Sequence, residues 1–158
     1  MIVATGETSP SPCIHVWSVV NLEPFKVLQT FHKDGILHVK FSNDGAFLVS
    51  VGADPLFSIQ IINWKTEETL VFRNTGTSPI FDIIFNPYNK YEFTTVGHHN
   101  VTVWELQGRS IIRKNWVHLK SAPPEDGNKS ERPRFPIITC ASYLNYHVNK
   151  IMKITSLS

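Results

Sequence analysis

Cysteine is almost missing: Cys13 and Cys140 are the only two in 158 residues. That excludes a disulfide framework and a zinc site built mainly of thiolates. A reducing compartment is the expectation, and there the acceptor patterns Asn100-Val101-Thr102 and Asn128-Lys129-Ser130 stay unmodified. No run of about 18 apolar residues is present to cross a bilayer, and the first six residues lack the basic and apolar regions of a signal peptide. An intracellular, soluble chain with no membrane partner follows as an expectation. Helical spacing is scarce too: almost no stretch repeats apolar residues at intervals of three, four and seven with caps at its ends, so an α/β reading fails. With no glycine-rich loop opening a helix, phosphate cradling by that route is excluded.

What is present is a globular balance, 42% hydrophobic and 18% charged, in a length that suits one domain with a sizeable core. The formal charge of +2 conceals an asymmetry. Residues 1–108 carry 6 basic and 10 acidic side chains, whereas residues 109–158 carry 9 and 3. The last third is a basic end, either a solvated surface or an arm for an acidic partner.

The stretch from Ile36 to Leu70 reads as short alternating strands separated by polar turns, a four-stranded antiparallel sheet with Trp64 closing its third strand. Parts of it recur on both sides. Gly6, Gly52 and Gly97 each end a strand, at intervals of 46 and 45 residues, and an alternating strand closed by Trp17, Trp64 or Trp104 follows each. Upstream, Leu37–Phe41 matches Phe81–Phe85, and a turn follows each. A period of about 40 to 50 residues points to stacked or radial repeats. The glycines mark places where a neighbouring sheet comes close.

The first copy starts at its second strand and carries its fourth at residues 25–31. Two fuller copies follow, giving blades over residues 1–119. Residues 120–135 form a polar, proline-bearing loop, and residues 136–158 open a further sheet with Ile137–Tyr143 as its first strand. The architecture expected is all-β: about two and a half four-stranded blades, in a ring that is not closed. Propellers of this kind close with about 4 to 8 blades. The remaining blades of a longer parent chain are therefore expected as partners, with this chain a truncated gene model, a splice product or an excerpt.

These residues resemble the WD-repeat family of β-propellers: the turn from Phe41 to Gly45, the strand ending in glycine, and the strand ending in tryptophan plus a polar residue. The expected Trp-Asp pair is Trp17-Ser18, Trp64-Lys65 and Trp104-Glu105, and His32 stands where the family has its Gly-His histidine. The buried hydrogen-bond set of the family is thus expected to be incomplete. The long second hairpins are most similar to the echinoderm microtubule-associated-protein-like family and to related ciliary and flagellar proteins. The signature positions carried over are Gly6, Trp17, His32, Phe41, Gly52, Trp64, Phe85, Gly97 and Trp104. The resemblance implies a non-catalytic scaffold that binds tubulin, microtubules or axonemal proteins in the cytoplasm or cytoskeleton, with a cilium or flagellum as the specific setting.

Catalytic chemistry finds little support. His98 and His99 are adjacent and on a strand would point to opposite faces, with no third ligand at a useful spacing. Cys13, Cys140, His32, His38 and His118 have no nucleophile or base partner in sequence. Asp54 and Asp82 suit carboxylates that cap backbone N–H groups, and Glu67-Glu68 sit in a turn. No catalytic residue, metal ligand or cofactor is assigned. Arg113, Lys114, Lys120, Arg132 and Arg134 are the nominated partner contacts. A nucleic-acid-binding segment using this basic end, with aromatics as stacking platforms, is the alternative from a different class. Ser9-Pro10-Ser11-Pro12 and Ser78-Pro79 are turns that could also take a proline-directed phosphate.

Overall fold

The computed structural model describes residues 1–98, 100–118, 137–143 and 152–157. Among these there is no helix; the chain forms antiparallel sheets in sequence order. The first has three strands, β1 (Ile2–Gly6), β2 (Cys13–Ser18) and β3 (Glu23–Gln29). The second has four, β4 (Ile36–Phe41), β5 (Leu48–Gly52), β6 (Ile59–Asn63) and β7 (Glu68–Arg73). The third repeats it with β8 (Ile80–Phe85), β9 (Glu92–Gly97), β10 (Asn100–Gln107) and β11 (Ser110–His118). Two further strands, β12 (Ile137–Tyr143) and β13 (Met152–Leu157), pair with each other.

Alternation along each strand sends odd and even residues to opposite faces, and both faces of the middle sheet are buried. Leu48, Ile62 and Trp64 pack against Ile14, Val16 and Leu28 of the first sheet. Val49, Val51, Ile59 and Ile61 meet Ile83, Phe85, Phe93 and Trp104 of the third. Val96 and Val101 then cover Ile138. Each sheet is thus one layer of a stack, and its apolar residues leave water only when both neighbours are in place.

Two details of the sequence reading change. The fourth strand of the first copy runs from Glu23 to Gln29 rather than to Phe31, because the Phe31 N–H goes to Gln60 Oε1 at 2.8 Å, out of the ladder. The third strand of the second copy, expected in sequence from Phe57 to Trp64, begins at Ile59, since Phe57 has φ of 44° and belongs to the preceding turn. Of the expected polar loop, nothing falls among the described residues.

Candidate functional site

Gly52 ends β5, and its N–H bonds the carbonyl of Ser58 across the loop at 2.9 Å. In the first sheet the same bond runs from Glu7 N to Cys13 O at 3.2 Å. Glu7, not Gly6, is therefore the counterpart of Gly52 and Gly97, and the three stand 45 residues apart. The direction of the missing side chain agrees. A Cβ on Gly52 would lie 2.6 Å from His32 Nδ1, on the side of the first sheet, whereas a Cβ on Gly6 would lie 2.6 Å from Ile36 Cβ, on the side of the second. Glu7 is tolerated because its carboxylate turns into the loop, accepting Cys13 N at 3.0 Å and meeting His15 Nε2 at 2.5 Å. Those hydrogen bonds hold the Glu7 carboxyl below its ordinary pKa.

In this corrected frame Thr5, Ser50 and Thr95 are equivalent hydroxyls, two residues before the 7, 52 and 97 positions. Thr5 and Thr95 each accept an indole N–H, from Trp17 at 2.8 Å and Trp104 at 2.9 Å. Val3 faces Trp17 as Phe93 faces Trp104, so these two tryptophans are true counterparts. Trp64 is not: Ile62 holds the equivalent place opposite Leu48. Two residues further on, Trp64 donates to Gly45 O at 2.8 Å and packs edge-on against Phe41. The equal indole positions read from sequence are corrected to two.

Ser50 serves a different partner. His32, 2% exposed, meets Ser50 Oγ through Nε2 at 2.8 Å and Ser58 Oγ through Nδ1 at 2.7 Å, and Ser58 also bonds Asp54. Burial pushes the His32 pKa down to about 4, with Asp54 opposing. The imidazole is therefore neutral near pH 7, and its 3.9 Å approach to Asp54 Oδ2 is no ion pair there. Asp54 also caps the loop, accepting N–H from Leu56 and Ser58. Hydroxyl therefore pairs with indole in the first sheet, where the bond is exposed, and in the third, where it is buried, whereas in the second the hydroxyls meet histidine and aspartate.

The third sheet has a small hollow of about 40 Å³ near this position, lined by Thr75, Ser78, Asn100, Thr102 and Trp104 among others. A larger open cleft of about 270 Å³ lies where β4, β8 and β12 converge, bordered by Lys40, Asn43, Asp82, Ile84 and Ala141. Neither lining brings a nucleophile to a base. The His32 set resembles one in composition, but it is sealed between sheets and no substrate reaches it. Among the described residues no group of three or more His, Cys, Asp or Glu is placed to hold a metal ion.

Of the nominated basic contacts, Arg113 and Lys114 fall among the described residues. Arg113 stacks on Trp104, its guanidinium carbon 5.4 Å from the ring centre. Lys114 Nζ is 3.0 Å from Glu92 and 3.6 Å from Glu105, which raises its pKa, and its side chain stays 42% exposed. Lys120, Arg132, Arg134 and His99 lie outside the described residues. Ser11 is exposed in the loop between β1 and β2, while Pro12 beside it is buried.

No family model matches the chain. Among curated proteins it is 30% identical over 103 residues, 65% of the chain, to Cilia- and flagella-associated protein 44 of Mus musculus. It is 23% identical over 134 residues, 78% of the chain, to Echinoderm microtubule-associated protein-like 1 of Rattus norvegicus. The chain spans only 6% and 16% of the length of these relatives. Among solved structures, the β-propeller domain of Cps50 (Swd1) from Myceliophteria thermophila matches 82% of the chain and 37% of its own, with a TM-score of 0.61 at 14% identity.

Proposed function

From the premise that the chain is built of WD-type β-propeller blades and is similar to ciliary and microtubule-associated WD-repeat proteins, we propose that it works as a non-catalytic protein-interaction scaffold at the microtubule or axoneme. The observation that carries this is the 103-residue similarity to a cilia- and flagella-associated protein, in a chain whose histidine, serine and aspartate set is sealed between sheets. A propeller blade spends its polar residues on locking sheets together and offers loops and strand edges for binding.

The basic residues Arg113, Lys114, Lys120, Arg132 and Arg134 remain the proposed contact for an acidic protein surface such as tubulin. Long-range attraction of that kind is screened by salt. Co-sedimentation with taxol-stabilised microtubules tests the reading, with RNA as competitor and salt varied. Pelleting that falls with salt and resists RNA is expected. Pelleting abolished by RNA, or none at low salt, would reject it in favour of a nucleic-acid partner or of neither.

A further inference from the structure

The loops that follow β1 and β5 have equal length and equal anchors. Glu7 N bonds Cys13 O as Gly52 N bonds Ser58 O, and near the far end the hydroxyls of Thr30 and Thr75 donate to Pro12 O and Phe57 O. Ser9-Pro10 therefore stands where Asp54-Pro55 stands. In the second sheet Asp54 holds its loop together. Its Oδ1 accepts the N–H of Leu56 at 3.3 Å and of Ser58 at 3.2 Å, and its carbonyl accepts Phe57 N at 2.9 Å. The first sheet has a hydroxyl in place of that carboxylate, and in place of Phe57 it has Pro12, which brings no N–H. Glu7 supplies one of the bonds, to Cys13 N. The N–H of Ser11, the counterpart of Leu56, has no acceptor among the described residues, and the Ser9 hydroxyl has no partner among them either.

The three Ser-Pro pairs differ in what a modifying enzyme meets. Ser78 Oγ donates to His98 O at 3.1 Å and accepts from Asn100 Nδ2 at 3.0 Å, while Pro79 O accepts His98 N at 3.1 Å. Ser11 is exposed, but Pro12 is buried and its carbonyl takes the Thr30 hydroxyl. Ser9 is partly exposed and unbonded, with Pro10 exposed beside it, in the loop that fewer bonds close. We infer that Ser9 is a phosphoacceptor for a proline-directed serine/threonine kinase, and that its phosphate takes the place of the Asp54 carboxylate as the cap of the first loop. In the transfer the Ser9 Oγ–P bond forms as the γ-phosphorus of ATP parts from the β–γ bridging oxygen, ADP leaves, and the hydroxyl proton passes to the aspartate of the kinase. A phosphoserine carries about −1.5 to −2 charge and three strong acceptor oxygens. Those oxygens suit the N–H groups of Ser11 and Cys13, and their charge repels the Glu7 carboxylate that holds Cys13 N and His15 in the unmodified chain. Phosphorylation thus shifts Cys13 N from Glu7 to the phosphate, in a loop that also bonds the second sheet through Ile36 N to Glu7 O at 2.9 Å. The inference rests on the shared loop frame and does not depend on the microtubule reading.

The test uses the 158-residue chain, incubated with ATP and a mitogen-activated protein kinase as the proline-directed enzyme. Mass spectrometry follows each site with time. Ser9 is expected to be modified faster than Ser11 and Ser78 by more than about tenfold, because the other two wait for a local opening of the fold. In ¹H–¹⁵N NMR spectra of the modified chain, the Ser11 amide should move downfield as it gains a charged acceptor, and Ser9→Asp should move it in the same direction without any kinase. Ser9→Ala should remove the fast phase of labelling and leave the Ser11 amide in place. Labelling of Ser11 or Ser78 as fast as Ser9, or no labelling of Ser9 at all, overturns the proposal. So does a chain phosphorylated on Ser9 whose Ser11 and Cys13 amides stay where they were, since the phosphate would then lie in solvent and cap nothing.

Discussion

The second and third sheets share one backbone frame and fill it with different chemistry. In β4–β7 a neutral histidine bridges two serines and is steadied by an aspartate. In β8–β11 the equivalent hydroxyl is taken by an indole, with the guanidinium groups of Arg73 and Arg113 over its ring, and a hollow of about 40 Å³ remains beside it. Among the described residues, neither solution leaves a buried side-chain nitrogen or oxygen without a partner. The frame is set by strand register and apolar packing. The polar residues only have to satisfy one another, since an unpaired buried donor costs about 1–3 kcal/mol.

The largest expected effect separates the two equivalent indoles. Trp104→Ala empties a fully buried site that also holds two guanidinium groups near the ring and should cost about 3–5 kcal/mol. Trp17→Ala removes an only partly buried ring and should cost about 1 kcal/mol. Urea denaturation followed by circular dichroism measures both. Equal losses would mean that Trp17 already serves as core and that the two sheets do not differ in the way described.

Next comes the histidine. An ordinary histidine titrates near 6.5, and burial holds His32 near 4. Between these values the unfolded chain binds a proton that the folded chain refuses, so stability rises with pH across this window. The contribution is complete above about 6.5 and is lost as the pH falls towards 4, to a limit of about 3 kcal/mol at 1.4 kcal/mol per pKa unit. Denaturant midpoints measured from pH 7 to pH 4 should fall for the native chain, and His32→Gln should flatten that slope by most of this amount. A native profile that stays flat would show His32 protonated inside the fold.

The period and the all-β class were legible in the sequence because turns and alternating strands are local signals. The register of the first copy was not. Glycine identity drew Gly6 into line with Gly52 and Gly97, although the loops Glu7–Cys13 and Gly52–Ser58 have equal length and place Glu7 there instead. A carboxylate that folds into its own loop does at residue 7 what the absence of a side chain does at residue 52. Trp64 misled in the same way, since its bond to Gly45 O lies beyond the end of β6. The hydroxyls at 5, 50 and 95, spaced by 45, carried the true register, but a lone Ser or Thr is too common in strands to stand out. His32 was visible as a family-like position; that Ser50 and Ser58 would share it depended on a contact between residues 18 and 26 positions away.

The smallest effect gives the finest comparison. Thr95→Val keeps the shape of the side chain and removes the acceptor of the Trp104 N–H, leaving a buried donor unpaired at a cost of about 1–3 kcal/mol. Thr5→Val makes the same change beneath Trp17, where water can take over the N–H, and should cost only about 0.5 kcal/mol or less. A double-mutant cycle with Trp104→Phe, which deletes the donor, isolates the bond: with neither partner left, most of the Thr95→Val penalty should vanish. Were the coupling at residue 5 to equal that at residue 95, the Trp17 face would be as dry as the Trp104 face, and burial rather than register would have to be the property the sheets hold in common.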